Sequence, residues 1–339
     1  MKLKLHEREL RLECPFATAH GRKSSARVLI VELTDGEHSG YGEAPENQYF
    51  KATVDAARAA LEAEQSRIEA ASADDPAALY DTMQALLRPH GFALSALDCA
   101  AWDLFGKRCG KPVWQLFGLN HVVGRGQASS YTIGLDTIKV MTQKLRAHAD
   151  WPMYKIKLAA DEAVSTIAAL REVTDKPFRV DANCAWDADS VVEVVKQLAG
   201  YNVELIEQPL PPEDDAAMRD VIEHSPLPMI ADESCVIESD VDRCVGLFDG
   251  VNVKLTKCGG LTPAVRMLRR ARELSLQTMI GCMTETTVGI SAGAQLLPLL
   301  DFVDLDGANL LAEDVADGVS VERGAVDLTD QPGCGLVMR

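Results

Sequence analysis

Tyr154-Lys155-Ile156-Lys157, Val180-Asp181-Ala182-Asn183, Ile206-Glu207-Gln208-Pro209, Ala231-Asp232-Glu233-Ser234 and Val253-Lys254 follow one another along the middle of the chain. From Lys157 to Asp181, Glu207, Asp232 and Lys254 the steps are 22 to 26 residues. Each group closes a short apolar run that reads as a strand and precedes a stretch that reads as a helix. That spacing is one βα unit, and the C-terminal ends of barrel strands are where such folds carry chemistry. Acids and amines repeated there point at one another across a single mouth, which is the signature of an enzyme.

Working outward, the alternation predicts strands at residues 129–133, 154–158, 178–181, 203–207, 229–232, 250–255, 278–282 and 302–305. Helices follow most of them, with caps expected at Asp136-Thr137, Asp187 and Thr262-Pro263. Eight strands joined by helices close naturally as a parallel (β/α)8-type barrel. Before it, residues 3–12, 26–33 and 40–43 read as strands. Residues 19–25 read as a polar, basic loop, residues 52–71 as one helix, and residues 93–107 as another with Leu97, Ala101 and Leu104 on one stripe. Asp75-Pro76 caps the helix between them. Strands followed by helices make an α+β domain. The expected organisation is a capping domain over 1–118, a catalytic barrel over 119–310 and a segment, 311–339, that returns to the capping domain and adds strands to its sheet. Within that segment, residues 318–328 read as two short strands around Arg323-Gly324.

Composition narrows the function classes. A formal charge of −17 disfavours nucleic acid and anionic membranes, since phosphate surfaces repel an acidic protein. No apolar run reaches membrane-span length, and the N-terminal MKLKLHERELRL has no apolar core of a signal peptide. Nine scattered cysteines without a CxxC pair suit reduced thiols in a cytoplasm, and Cys184 reads as a small buried filler.

On a strand, residues two apart share a face, so Lys155 and Lys157 point into the barrel together, as do Asp181 and Asn183. Asp181, Glu207 and Asp232, on three successive strand ends, supply three hard oxygen donors suited to Mg2+. Lys157 and Lys254 then face each other across the mouth. An α-proton beside a carboxylate is removed only if the resulting enediolate is stabilised by positive charge. A lysine acting as base must be neutral, and Lys155 is expected to supply the like charge that favours this in Lys157. Two amines on opposite faces permit removal from one side and return to the other. A Schiff-base role for Lys157 is the alternative, and it leaves the acids and Lys254 without a purpose.

These residues resemble the enolase superfamily, and specifically its muconate-lactonizing-enzyme subgroup, over nearly the whole chain. Lys254 with Gly259-Gly260, the segment Ala96-Leu-Asp-Cys-Ala-Ala-Trp-Asp-Leu104, Gly110-Lys-Pro112 and Leu116-Phe-Gly118 carry the likeness beside the strand-end motifs. The resemblance implies a modified (β/α)7β barrel, Mg2+ on Asp181, Glu207 and Asp232, and Lys157 and Lys254 as the acid/base pair, with Lys155, Asn183 and Glu233 supporting. It also implies a capping loop near residues 17–25 that closes over the mouth. Asp304-Leu-Asp306-Gly307 and Gly281-Cys-Met-Thr-Glu-Thr286 resemble the dipeptide epimerases, in which the paired aspartates hold the dipeptide's ammonium group. Capping of the strand end is the other reading of that pair. Thr132 and Glu285 join the substrate-binding candidates, Glu285 either lining the pocket or orienting Lys254. The basic loop offers His20, Arg22 and Lys23 for an acidic side chain, so that L-Ala-D/L-Glu or a related dipeptide is the expected substrate and murein-peptide metabolism the implied setting. Tyr49, Phe50 and Lys51 form a second capping-loop contact. A homo-oligomer is expected. Cycloisomerisation, o-succinylbenzoate synthesis and a non-catalytic barrel binding a small acid remain alternatives.

Overall fold

A computed structural model of the chain describes residues 1–18, 21–120 and 128–339. Eight parallel strands form the barrel: β4 (Tyr131–Ile133), β5 (Tyr154–Lys157), β6 (Phe178–Asp181), β7 (Val203–Glu207), β8 (Met229–Ala231), β9 (Gly250–Val253), β10 (Gln277–Gly281) and β11 (Phe302–Asp304). They pair in sequence order, and a parallel bridge between Ser129 and Val303 brings the two ends of the sheet together. A helix follows each of the first seven strands. After β11 the chain makes only a 3-10 turn, Gly307–Leu310.

Ahead of the barrel stands an antiparallel sheet of β1 (Lys2–Thr18), β2 (Gly21–Thr34) and β3 (Ser39–Pro45). Along β2 the two-residue period separates the faces. Val28 and Ile30 join the core shared with the barrel, while Leu29, Val31 and Leu33 pack with Leu97, Ala100 and Leu104 of the helix Gly91–Cys109. A Cβ at Gly40 or Gly42 would run into the backbone of that helix, so this close approach depends on the two glycines. Asp75 and Thr137 cap their helices by accepting from Ala78 N and Val140 N.

Several sequence expectations need correction. Residues 21–25 are strand, because the β1–β2 pairing resumes after a register shift at Phe16↔Lys23 and runs to Thr18↔Gly21. Residues 52–71 split into helices Val54–Ala63 and Gln65–Ala70 about Glu64. Thr262 does not cap its helix, which begins at Leu261. Its N–H and hydroxyl instead donate to the buried Asp98, at 2.8 and 2.7 Å. Asp187 accepts from the N–H groups of Asp189 and Ser190, a turn ahead of the helix Val191–Leu198. The C-terminal segment adds no strand to the N-terminal sheet. Its strands pair as Val321–Glu322 with Ala325–Val326 and Ala316–Asp317 with Val337–Met338. It still reaches the first domain, where Cys334 N donates to Asp103 and Val113 N to the Gly333 carbonyl. Among the described residues no helix is long and apolar enough to cross a membrane.

Candidate active site

In an eight-strand ring, β5 and β9 are four places apart, so their C-terminal ends face each other across the mouth. β5 ends at Lys157 and β9 leads directly into Lys254. Between them, the ends of β6, β7 and β8 present Asp181, Glu207 and Asp232, all at most 1% exposed. Three carboxylates taken out of water must be balanced by buried cations, and lysines do this. Lys157 Nζ donates to Asp181 Oδ2 at 2.7 Å and to Asn183 Oδ1 at 2.8 Å. Lys155 Nζ lies 2.8 Å from Glu207 and from Asp304, and 3.1 Å from Asp181. Lys254 Nζ reaches Asp232 Oδ2 at 2.7 Å.

Charge decides the protonation tendencies. Burial alone would lower the pKa of Lys155, but Asp181, Asp304 and Glu207 hold it well above the usual lysine value. Its positive charge is thus shared among three carboxylates. Lys254 is likewise raised, against burial, chiefly by Asp232. Asp181 and Asp232 stay ionised despite burial because the lysines lower their pKa values, whereas burial and its two acidic neighbours push Glu207 up.

The donor set suits a hard divalent cation: three buried carboxylates on adjacent strand ends, with Asp181 and Asp232 both acting on Glu207. With their oxygens turned to ammonium groups, however, no three His, Cys, Asp or Glu side chains among the described residues are arranged to hold a metal ion. Asn252 Nδ2 fixes Glu207 by donating to Oε1 at 2.9 Å.

At the neighbouring end of the ring, Asp304 accepts from Lys155 and from Ser130 Oγ (2.8 Å). Asp306 accepts from Thr132 N at 2.6 Å and from its hydroxyl at 3.1 Å. The two acids therefore differ. Asp304 is held by an ammonium, while Asp306, its pKa raised to about 7 by burial and Asp304, is paired among the described residues only with neutral donors. Both line a cavity of about 190 Å3 together with Lys155, Lys157, Lys254, Asn183, Glu233 and Thr132.

The β1–β2 hairpin and the loop after β3 also line the cavity. Arg22, Lys23, Tyr49 and Phe50 line the cavity, joined by Phe16, Glu46 and Gln48, which the sequence did not single out. Burial lowers the pKa of Lys23, with Glu285 and Glu46 opposing. His20 lies outside the described residues, and Lys51 is not on the wall. Nor is Glu285. Its Oε1 accepts from Met283 N at 2.7 Å, which turns the carboxylate back into its own loop, 4% exposed, beside Glu43. Lys254 and Lys23 act on it through charge alone. Glu43, on β3, clasps that loop by accepting from Thr286 N at 3.0 Å and from Gly289 N at 3.2 Å.

Residues 1–118 match the mandelate racemase / muconate lactonizing enzyme N-terminal domain, and residues 137–339 the enolase C-terminal domain-like family. The chain belongs to this family. It is 43% identical to an L-Ala-D/L-amino acid epimerase of Flavobacterium johnsoniae, with all of both chains covered. It is 36% identical to an L-Ala-D/L-Glu epimerase of Bacteroides thetaiotaomicron, over 99% of this chain and 88% of that one. Among solved structures, a dipeptide epimerase of Enterococcus faecalis V583 complexed with Mg and L-Leu-L-Tyr superposes with a TM-score of 0.92 at 29% identity, covering 99% of this chain and 98% of that one.

One buried lysine beside Asp232 escaped the sequence reading. Lys257, three residues after Lys254, donates to Asp232 Oδ1 and to the carbonyls of Asp232, Cys235 and Asn252 at 2.5 to 3.2 Å. The Lys254-x-x-Lys257 spacing was visible, but periodicity does not tell a buried lysine from a solvated one.

Proposed function

We propose that the protein is a Mg2+-dependent dipeptide epimerase that inverts the α-carbon of the C-terminal residue by 1,1-proton transfer. It is an isomerase acting on amino-acid derivatives. The observation that carries the reading is the placement of Lys157 and Lys254 across the ring from each other, with three carboxylates between them and Asp304 and Asp306 at the side.

In this reading Asp181, Glu207 and Asp232 hold the cation, which supplies positive charge to the substrate carboxylate when bound. The α-carbon lies between the two lysines. One amine takes the proton from its face, and the opposite ammonium returns a proton to the other face of the enediolate. Asp306 accepts the dipeptide's ammonium group, a charge-assisted contact that a dicarboxylate substrate could not make. Asp304 shares its charge with Lys155 and completes that subsite. The wall formed by Arg22 and Lys23 favours an acidic C-terminal side chain. Because Glu285 and Glu46 answer the charge of Lys23, and Phe16, Tyr49 and Phe50 add apolar surface, Xaa-Glu and Xaa-Asp are favoured without being exclusive. The segments 1–118, 119–310 and 311–339 then serve as cap, catalytic barrel and brace.

The test is incubation with Mg2+ in D2O and a mixed library of L,L-dipeptides, read by mass spectrometry. A gain of one mass unit confined to dipeptides is expected with the unaltered protein, and Lys157→Ala and Lys254→Ala should each abolish epimerisation. A Mg2+-loaded protein that exchanges no dipeptide proton refutes the reading.

A further inference from the structure

The two lysines are not held alike. Among the described residues, Lys254 Nζ has one hydrogen-bond acceptor, Asp232 Oδ2, while Lys157 Nζ has two, Asp181 Oδ2 and Asn183 Oδ1. A neutral lysine amine carries two N–H bonds and one lone pair. Two acceptors fixed in space use both hydrogens and leave the lone pair a single direction.

Asn183 is built for this place by its backbone. β6 ends at Asp181, and Asn183 (φ 44°) and Cys184 (φ 63°) both adopt left-handed conformations. The segment is pinned by Ala182 N to the Glu207 carbonyl at 3.1 Å and Cys184 N to the Gln208 carbonyl at 2.9 Å. Asn183 N–H donates to Asp181 Oδ1 at 3.0 Å, which leaves Oδ2 for the lysines. On its far side the amide meets Glu233 Oε1 at 3.5 Å, so its nitrogen is directed there and its oxygen toward Lys157. Asparagine tolerates a left-handed backbone better than most residues, and its amide is neutral. It therefore orients Lys157 without adding a second negative charge.

We infer that Asn183 is a positioning residue for Lys157 alone, aiming that amine at one face of the substrate while leaving the Lys254 face untouched. This rests on the proposed roles of the two lysines as proton carriers.

The experiment follows α-proton exchange into D2O separately from an L,L-dipeptide and its L,D epimer, with Lys157→Ala and Lys254→Ala identifying which epimer gives its proton to which lysine. Asn183→Gly removes the amide and keeps a residue at ease with positive φ. Asn183→Asp keeps an acceptor oxygen. The glycine variant is expected to slow exchange of the Lys157-dependent epimer on the order of a hundredfold, as for a catalytic group displaced by about 1 Å. The other epimer should still exchange near the wild-type rate, and the aspartate variant should recover only part of the loss, because its carboxylate restores the acceptor but adds a negative charge beside Lys157 and Glu233. Equal slowing of both epimers in the two Asn183 variants, or no slowing of either, overturns the inference. If the wild-type protein exchanges neither epimer, the reading beneath it falls as well.

Discussion

Gly281, at the end of β10, gives a test of how tightly the Lys254 side is packed. A Cβ built there would stand 2.7 Å from Asn252 Nδ2, 2.8 Å from Asn252 Oδ1 and 2.8 Å from Lys254 Cε. Ordinary carbon contacts lie at about 3.5–4.0 Å, so Gly281→Ala forces both side chains back by roughly 1 Å. Neither has free room: Asn252 is fully buried with its amide on Glu207, and Lys254 is 6% exposed with its ammonium on Asp232. Overpacking of this kind costs about 1–3 kcal/mol. In a chain of 339 residues that lowers the unfolding midpoint by about 1–4 °C. Its effect on catalysis is of similar size in free energy but easier to read, because a base misplaced by about 1 Å loses on the order of a hundredfold in kcat, equivalent to about 2.7 kcal/mol. Calorimetry gives the first quantity, and the rate of α-deuterium incorporation into each epimer of a dipeptide gives the second. The Lys254-dependent epimer should be hit hardest. Gly200→Ala is the control, since a Cβ there meets nothing within 4 Å. Wild-type exchange in Gly281→Ala would show that Lys254 is not confined as described, and an equal loss in Gly200→Ala would point to a general effect of the substitution.

Three further outcomes follow. Asp306→Asn should raise KM for dipeptides by about 10–100-fold, as expected for losing a contact to a charged group worth about 1.5–3 kcal/mol. N-acetylated dipeptides, which carry no ammonium, should show little difference between the two proteins, and an unchanged KM for free dipeptides counts against Asp306 as the ammonium partner. Burial raises the Asp98 carboxyl from 3.8 to about 7 against its hydrogen bonds with Thr262. The folded state thus prefers the protonated acid, and this contribution to stability is complete below about pH 4 and lost as pH rises through about 7. Denaturant titrations across that window should show wild type losing stability relative to Asp98→Asn as pH rises, and a constant difference would count against a shifted Asp98. Chelation should abolish exchange with both epimers, Mg2+ should restore it, and Asp232→Asn should weaken Mg2+ binding measured by calorimetry.

Much of this site was legible before folding because strand ends repeat. Asp181, Glu207, Asp232 and the two lysines occupy the same point of successive βα units, and a parallel barrel leaves them only one place to meet. The fold class followed from the same alternation, which reported all eight barrel strands. Other features were hidden because they depend on contacts far apart in sequence. Residues 21–25 looked like a polar loop, yet pairing with β1 makes them strand. Thr262 looked like a helix cap, but Asp98, 164 residues away, takes its hydrogen bonds. Glu285 sat in a suggestive motif, and its backbone contact turned it away from the cavity.

Which chemical groups reach the barrel mouth is written in the strand periodicity and the short βα connections, which leave little freedom in that. How those groups divide the charge among them depends on the folded ring. Among the described residues it placed Lys155 beside three carboxylates, left Asp306 with neutral donors, gave Lys157 two acceptors where Lys254 has one, and set Lys257 against Asp232. Protonation and orientation in a buried cluster depend on distances between side chains from different strands, and those distances exist only once the ring has closed.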